Sequence, residues 1–158
     1  MIDVELFEMK GLHDAWDIET PKEPVEEISD EVMALRFDLL LEELCELGIA
    51  SGKASILKEK LDKFSDKLKG VENNQYDKVE VFDAMVDIQV IHYGTCLMLG
   101  LKNYMQAGWD EVYRSNASKL GHDGKAIRSD GTDGKPVGKI IKGPNYVAPD
   151  LVSILEKK

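Results

Sequence analysis

Cysteine is nearly absent from this chain. Cys45 and Cys96 are the only two in 158 residues, and there is no Cys-x-x-Cys pair or Cys/His cluster. That scarcity excludes a disulfide scaffold and a thiolate metal site. Each cysteine lies in an apolar stretch and reads as a reduced core residue. Basic charge is also scarce: 20 Lys and Arg face 30 Asp and Glu, for a formal net charge of −10. The resulting pI, near 4.8, argues against a polymeric nucleic-acid partner, whose phosphates call for a basic surface. Long apolar runs are missing too. The longest nearly uncharged stretch, Ile88 to Leu101, is too short and too interrupted to span a bilayer. The opening Met1-Ile2-Asp3-Val4-Glu5 is acidic where a cleavable signal is basic, so the expectation is a cytoplasmic protein with no membrane partner. No Glu-x-x-His pair occurs, which removes a di-iron carboxylate bundle, and no internal repeat is present.

What the chain has in quantity is helical pattern. Asp3 to about Trp16 reads as a short helix, and Thr20-Pro21-Lys22-Glu23-Pro24 as an extended connector. Ser29 to Ala50 reads as a long helix with Ser29 as N-cap and Asp30 and Glu31 in its first turn. Ser51-Gly52 is a turn. Lys53 to Lys69 is amphipathic, with Leu57, Leu61, Phe64 and Leu68 on one side and lysines and acids opposite, as in a covering helix. Gly70 to Asn74 reads as a loop, Asp77 to about Leu99 as a second apolar helix, and Asn103 to Leu120 as a last long helix ended by Gly121. His92 falls on the second apolar helix and reads as a core residue; His13 and His122 fall in surface or turn segments.

After Gly121 the character changes. Asp123-Gly124, Asp130-Gly131 and Asp133-Gly134 are turn dipeptides, Val137 to Ile141 reads as a short strand of a small hairpin, and Pro149 opens a closing helical turn through Leu155. The Asp-Gly-Thr-Asp-Gly run lacks the alternating ligands and terminal glutamate of a calcium loop and reads as a turn. The expected organisation is one all-α domain, a helical core over residues 1–120 with a loop-rich extension over residues 121–158.

Two acidic patches interrupt the apolar helices. Leu40, Leu41, Leu44, Leu47, Phe37 and Met33 cover one side of the first, while Leu35 and Leu39 share the opposite stripe with Glu42, Glu43 and Glu46. On the second, Glu80, Asp83 and Asp87 recur at i, i+3 and i+7 and share a face. Glu80 also has capping-box spacing from Asp77, and Glu42 and Glu43 taken alone would fit a wetted helix edge. Two such patches on two apolar helices favour a divalent-cation site, because clustered carboxylates in apolar surroundings need a cation to stay ionised together. A non-catalytic helical interaction module would explain the apolar surface but not acids set within it. Helices apolar on nearly every side predict a homodimer or homotetramer.

Glu42-Glu43-Leu44-Cys45-Glu46 and Glu80-Val81-Phe82-Asp83 resemble the EExxE and ExxD motifs of the all-α nucleoside triphosphate pyrophosphohydrolases, the MazG-like group that also includes dimeric dUTPases and phosphoribosyl-ATP pyrophosphohydrolase. Asp110-Glu111-Val112-Tyr113-Arg114-Ser115-Asn116-Ala117-Ser118-Lys119-Leu120 and Lys142-Gly143-Pro144-Asn145-Tyr146-Val147-Ala148-Pro149-Asp150 are similar to the tail of phage and bacterial MazG-like proteins. The resemblance implies a MazG-like helical bundle completed by oligomerisation, with Mg²⁺ or Mn²⁺ held by Glu42, Glu43, Glu46, Glu80 and Asp83. Asp87 is a further ligand or an alternative register. It also implies catalytic roles for Glu42, Glu43 and Lys119, and nucleotide contacts from Arg114, Asn116, Lys119, Lys142 and Tyr146. Tyr113 stands where the family pattern has histidine. The implied reaction is Mg²⁺-dependent cleavage of an NTP or dNTP to a nucleoside monophosphate and pyrophosphate, with phosphoribosyl-ATP as the alternative substrate.

Overall fold

The computed structural model describes residues 2–71 and 76–156. Six helices follow in order: α1 (Ile2–Ala15), α2 (Asp30–Ala50), α3 (Ala54–Leu68), α4 (Lys78–Met98), α5 (Met105–Ala117) and α6 (Leu151–Glu156). The all-α expectation holds, and no strand forms among the described residues. The chain divides into two compact units, Val25–Asp77 and a second built from Met1–Pro24 with Lys78–Lys158.

The first unit is a hairpin of α2 on α3. Ser29 caps α2 as its pattern predicts: Oγ accepts from the Val32 amide at 3.3 Å. Glu31 sits in the first turn, where hydrogen bonds from its own amide and the Ser29 hydroxyl hold its carboxyl below the usual range. Gly52, with φ +69°, supplies the left-handed residue that turns the chain toward α3. Buried Gly48 lets the helices approach. A β-carbon there would stand 2.5 Å from Leu57 Cδ2 and 3.2 Å from Leu57 Cβ.

Burial on α2 favours the stripe that carries Glu42. Leu35, Leu39 and Glu42, spaced i, i+4 and i+7, are half-covered, whereas Phe37, Leu40, Leu41, Leu44 and Leu47 are exposed. On α3 only Leu57 and Leu61 are half-covered; Phe64 and Leu68 are exposed. Of the loop expected at Gly70 to Asn74, residues 72–74 lie outside the described residues.

The second unit packs α1 on α5 and α5 on α6. Its core is small: Leu12 is 2% exposed, with Trp16 and Cys96 also buried. Two carboxylates of α1 reach its neighbours. Glu5 accepts from the Tyr93 hydroxyl on α4 at 3.3 Å, and Glu8 accepts from the Trp109 indole on α5. Arg128 donates to the carbonyls of Trp16 at 2.6 Å and Asp17 at 3.3 Å, tying the tail to the end of α1.

Four expectations are corrected. The last long helix stops at Ala117, not Leu120, because Ser118 turns its hydroxyl onto the Ser115 carbonyl at 2.7 Å and Leu120 leaves to bridge Ala126. Residues 137–141 form no strand; an isolated bridge joins Arg128 to Ile140, and buried Ser129 organises the bend by donating to Asp133 at 2.7 Å. Cys45 is exposed while Cys96 is buried, and neither forms a disulfide. His92 is exposed, its ring nitrogens 3.8 and 4.0 Å from Cys96 Sγ. In the last two cases periodicity located an apolar helix but could not show what covers it. Among the described residues no helix is long and apolar enough to cross a membrane.

Candidate active site

The acidic patches stand on the two longest helices, one in each unit. On α2, Glu42 is half-covered beside Leu39, and Glu43 and Glu46 are exposed. On α4, Glu80, Asp83 and Asp87 are exposed, and so are most apolar residues around them: Phe82 is 71% and Ile91 68% exposed. The helix turns inward only in its second half, at Gln89 and at Tyr93 to Cys96. Among the described residues, neither patch by itself closes into a group of three or more acid, thiol or imidazole side chains able to hold an ion. The donor chemistry fits a hard cation, since every candidate ligand is a carboxylate oxygen. The half-covered position of Glu42 among leucines fits it as well.

The basic and polar candidates meet at the end of α5. Arg114 donates from Nε to Glu111 Oε2 at 2.8 Å, from Nη2 to Glu111 Oε1 at 2.7 Å, and from Nη2 to the Ala148 carbonyl at 3.0 Å. Glu111 also accepts from the Asp150 amide at 2.7 Å. The Arg114 guanidinium and that amide bring the Glu111 carboxyl down to about 2, and Glu111 in turn raises the Arg114 pKa. One turn on, Ser118 Oγ accepts from the Val147 amide at 2.8 Å.

These contacts lay residues 143–150 along α5. Tyr146 donates its amide to the Gly143 carbonyl at 3.1 Å, closing a turn with Pro144 at its second position. Gly143 itself presses on the end of the helix. A β-carbon there would lie 2.7 Å from the Lys119 carbonyl oxygen and closer still to that of Leu120. Lys142 Nζ lies 4.7 Å from the centre of the Tyr146 ring, a cation–π contact that holds its ammonium over the turn. The backbone of Lys119, just past the end of α5, lies against Gly143 of this turn.

Asn116 goes elsewhere. With Tyr113, Trp109, Val112, Met9 and Leu12 it lines a crevice of about 40 Å³ between α1 and α5, and the Tyr113 hydroxyl lies 3.4 Å from where a Gly11 β-carbon would be. Glu111, Ser118 and Gly143 were not singled out as functional in the sequence. The i, i+3 spacing of Glu111 and Arg114 was the one visible signal.

An all-α fold with acid patches on its long helices is compatible with one class in particular, the all-α nucleoside triphosphate pyrophosphohydrolases that the sequence resembles. A crystal structure of a candidate NTP pyrophosphohydrolase from Exiguobacterium sp. 255-15, solved at 1.78 Å, shares this fold with a TM-score of 0.69. The match covers 96% of this chain and 93% of that one, at 17% identity. Within that class the chain belongs to the phosphoribosyl-ATP pyrophosphohydrolase family, whose profile matches residues 9–116. No curated protein sequence matches the chain.

Proposed function

We propose that this chain hydrolyses a nucleoside triphosphate, an NTP or dNTP, to the monophosphate and pyrophosphate in a Mg²⁺-dependent reaction that Mn²⁺ also supports. The observation that carries the reading is that the chain is a member of a pyrophosphohydrolase family and bears Glu42, Glu43 and Glu46 on α2 and Glu80, Asp83 and Asp87 on α4. These six carboxylates are the candidate metal ligands. When bound, a divalent cation supplies charge neutralisation to the polyphosphate and makes a water molecule more acidic. An acidic protein can therefore take a polyanion without a basic surface.

The chain's own groups supply the rest. Of Glu42 and Glu43, the one not engaged with the cation accepts the proton of the attacking water. The water oxygen bonds to the α-phosphorus, the bond from that phosphorus to the bridging oxygen breaks, and pyrophosphate leaves. Lys119 and Lys142 balance the charge gathering on the leaving group, and Tyr146 orients the nucleotide. The exposed apolar residues of α2 and α4 support a homodimer or homotetramer that covers them, which sedimentation would read as an assembly larger than one chain.

Phosphoribosyl-ATP is the second reading, favoured by the family profile. Likeness over nearly the whole chain to a candidate NTP pyrophosphohydrolase favours the simpler triphosphate. A panel of NTPs, dNTPs and phosphoribosyl-ATP with Mg²⁺, resolved into monophosphate, diphosphate, orthophosphate and pyrophosphate, tests both. Pyrophosphate with a matching monophosphate is expected from at least one simple triphosphate. Diphosphate with orthophosphate, or turnover of phosphoribosyl-ATP alone, would overturn the first reading.

A further inference from the structure

We propose that Arg114 and Glu111 are positioning residues: together they clasp residues 147–150 to α5 and so hold the Lys142–Tyr146 turn beside Lys119. Arg114 is then not a phosphate ligand, although resemblance alone would place it on the substrate. The inference rests on the pyrophosphohydrolase reading for its effect on turnover, but its structural half stands apart from that reading.

The geometry argues against a free guanidinium. Two Arg114 nitrogens are spent on both oxygens of one carboxylate, a fork that a planar guanidinium matches closely, and one of them also serves the Ala148 carbonyl. The Glu111 side chain is 20% exposed and also accepts from the Asp150 amide. Turning Arg114 toward a phosphate would strip that carboxylate of its cation and leave the Ala148 carbonyl without this donor. Three successive points of the strap are fixed this way: Val147 by Ser118, Ala148 by Arg114 and Asp150 by Glu111. Just upstream, Gly143 rests on the Lys119 and Leu120 carbonyls, so the place of Lys142 relative to Lys119 depends on how the strap is seated.

A double-mutant cycle on Glu111→Ala and Arg114→Ala tests this, read by amide hydrogen exchange and by steady-state kinetics on a hydrolysed nucleoside triphosphate. The expected result is faster exchange across residues 143–150 in each variant, with KM raised about tenfold by either change and little further by both. Ser118→Ala, outside the ion pair, should loosen the same amides to a smaller degree and guards against a variant that fails to fold. Unchanged exchange at 147–150 in both single variants would overturn the proposal. So would a KM raised by Arg114→Ala but not by Glu111→Ala, the pattern of a direct phosphate ligand. If the wild type hydrolyses no triphosphate, the functional reading fails, while the exchange data still decide the clasp.

Discussion

Trp109 on α5 donates its indole N–H to Glu8 on α1, joining residues 101 positions apart, one turn from where Glu5 on the same helix accepts from Tyr93. Both bonds end on carboxylates, and a hydrogen bond to a charged acceptor contributes more than a neutral one. Trp109→Phe keeps the aromatic packing and removes the donor. It should lower stability by about 2 kcal/mol, read as a shift in the urea midpoint at unchanged slope. Glu8→Gln keeps an acceptor and should lose less; no loss at all would show that the charge of Glu8 adds nothing.

Two helix glycines should respond in opposite directions to the same change. Gly48→Ala sets a methyl group against Leu57 and should destabilise the α2–α3 hairpin by about 1–2 kcal/mol. At Gly94, inside α4, a β-carbon meets nothing within 4 Å. Gly94→Ala should therefore stabilise by about 0.5–1 kcal/mol through the lower chain entropy of alanine. Thermal melts of the two variants check the pair of signs.

The helices were legible in the sequence because their signals are local. Ser29 before an acidic first turn announced α2, and Ser51-Gly52 its end. The early stop of α5 was not, because it depends on Ser118 reaching both back to Ser115 and across to Val147, 29 residues away. The exposure of Cys45 and His92 was hidden for a related reason. Periodicity reports which face is apolar, and only tertiary structure reports what lies against it. At the candidate site the acid patches could be read from composition. The engagement of Arg114 could not, since its outer partner is a backbone carbonyl that carries no residue signature.

The strap along α5 should respond to acid in a defined window. Glu111 titrates near 4.5 in the unfolded chain and about 2 when folded. Its folded pKa is depressed, so its contribution is fully present above about 4.5 and is lost as pH falls toward 2. Asp133, brought down to about 2 chiefly by Lys135 and then by Ser129, gives the tail a second group of the same sign. Exchange across 147–150 should be flat from neutral pH to about 4.5, after correction for intrinsic rates, and rise below it. In Glu111→Gln that rise should be absent.

Glu46→Gln and Asp83→Asn remove charge at nearly constant shape. If both acids hold a cation, each variant should lose most turnover and most of the Mg²⁺-induced rise in melting temperature. Without Mg²⁺ their stability should hold or increase, because repulsion among neighbouring carboxylates is relieved. Melts with and without Mg²⁺ give both quantities. Wild-type shifts in both variants would mean that these acids are ordinary solvated side chains.

The most direct test of the central claim, attack of water at the α-phosphorus, is the fate of solvent oxygen. A nucleoside triphosphate hydrolysed in water enriched in ¹⁸O should give monophosphate carrying one labelled oxygen and pyrophosphate carrying none, resolved by mass spectrometry. Label in the pyrophosphate would place the attack on the β-phosphorus, and labelled orthophosphate beside a diphosphate would place it on the γ-phosphorus. Either result would contradict the account.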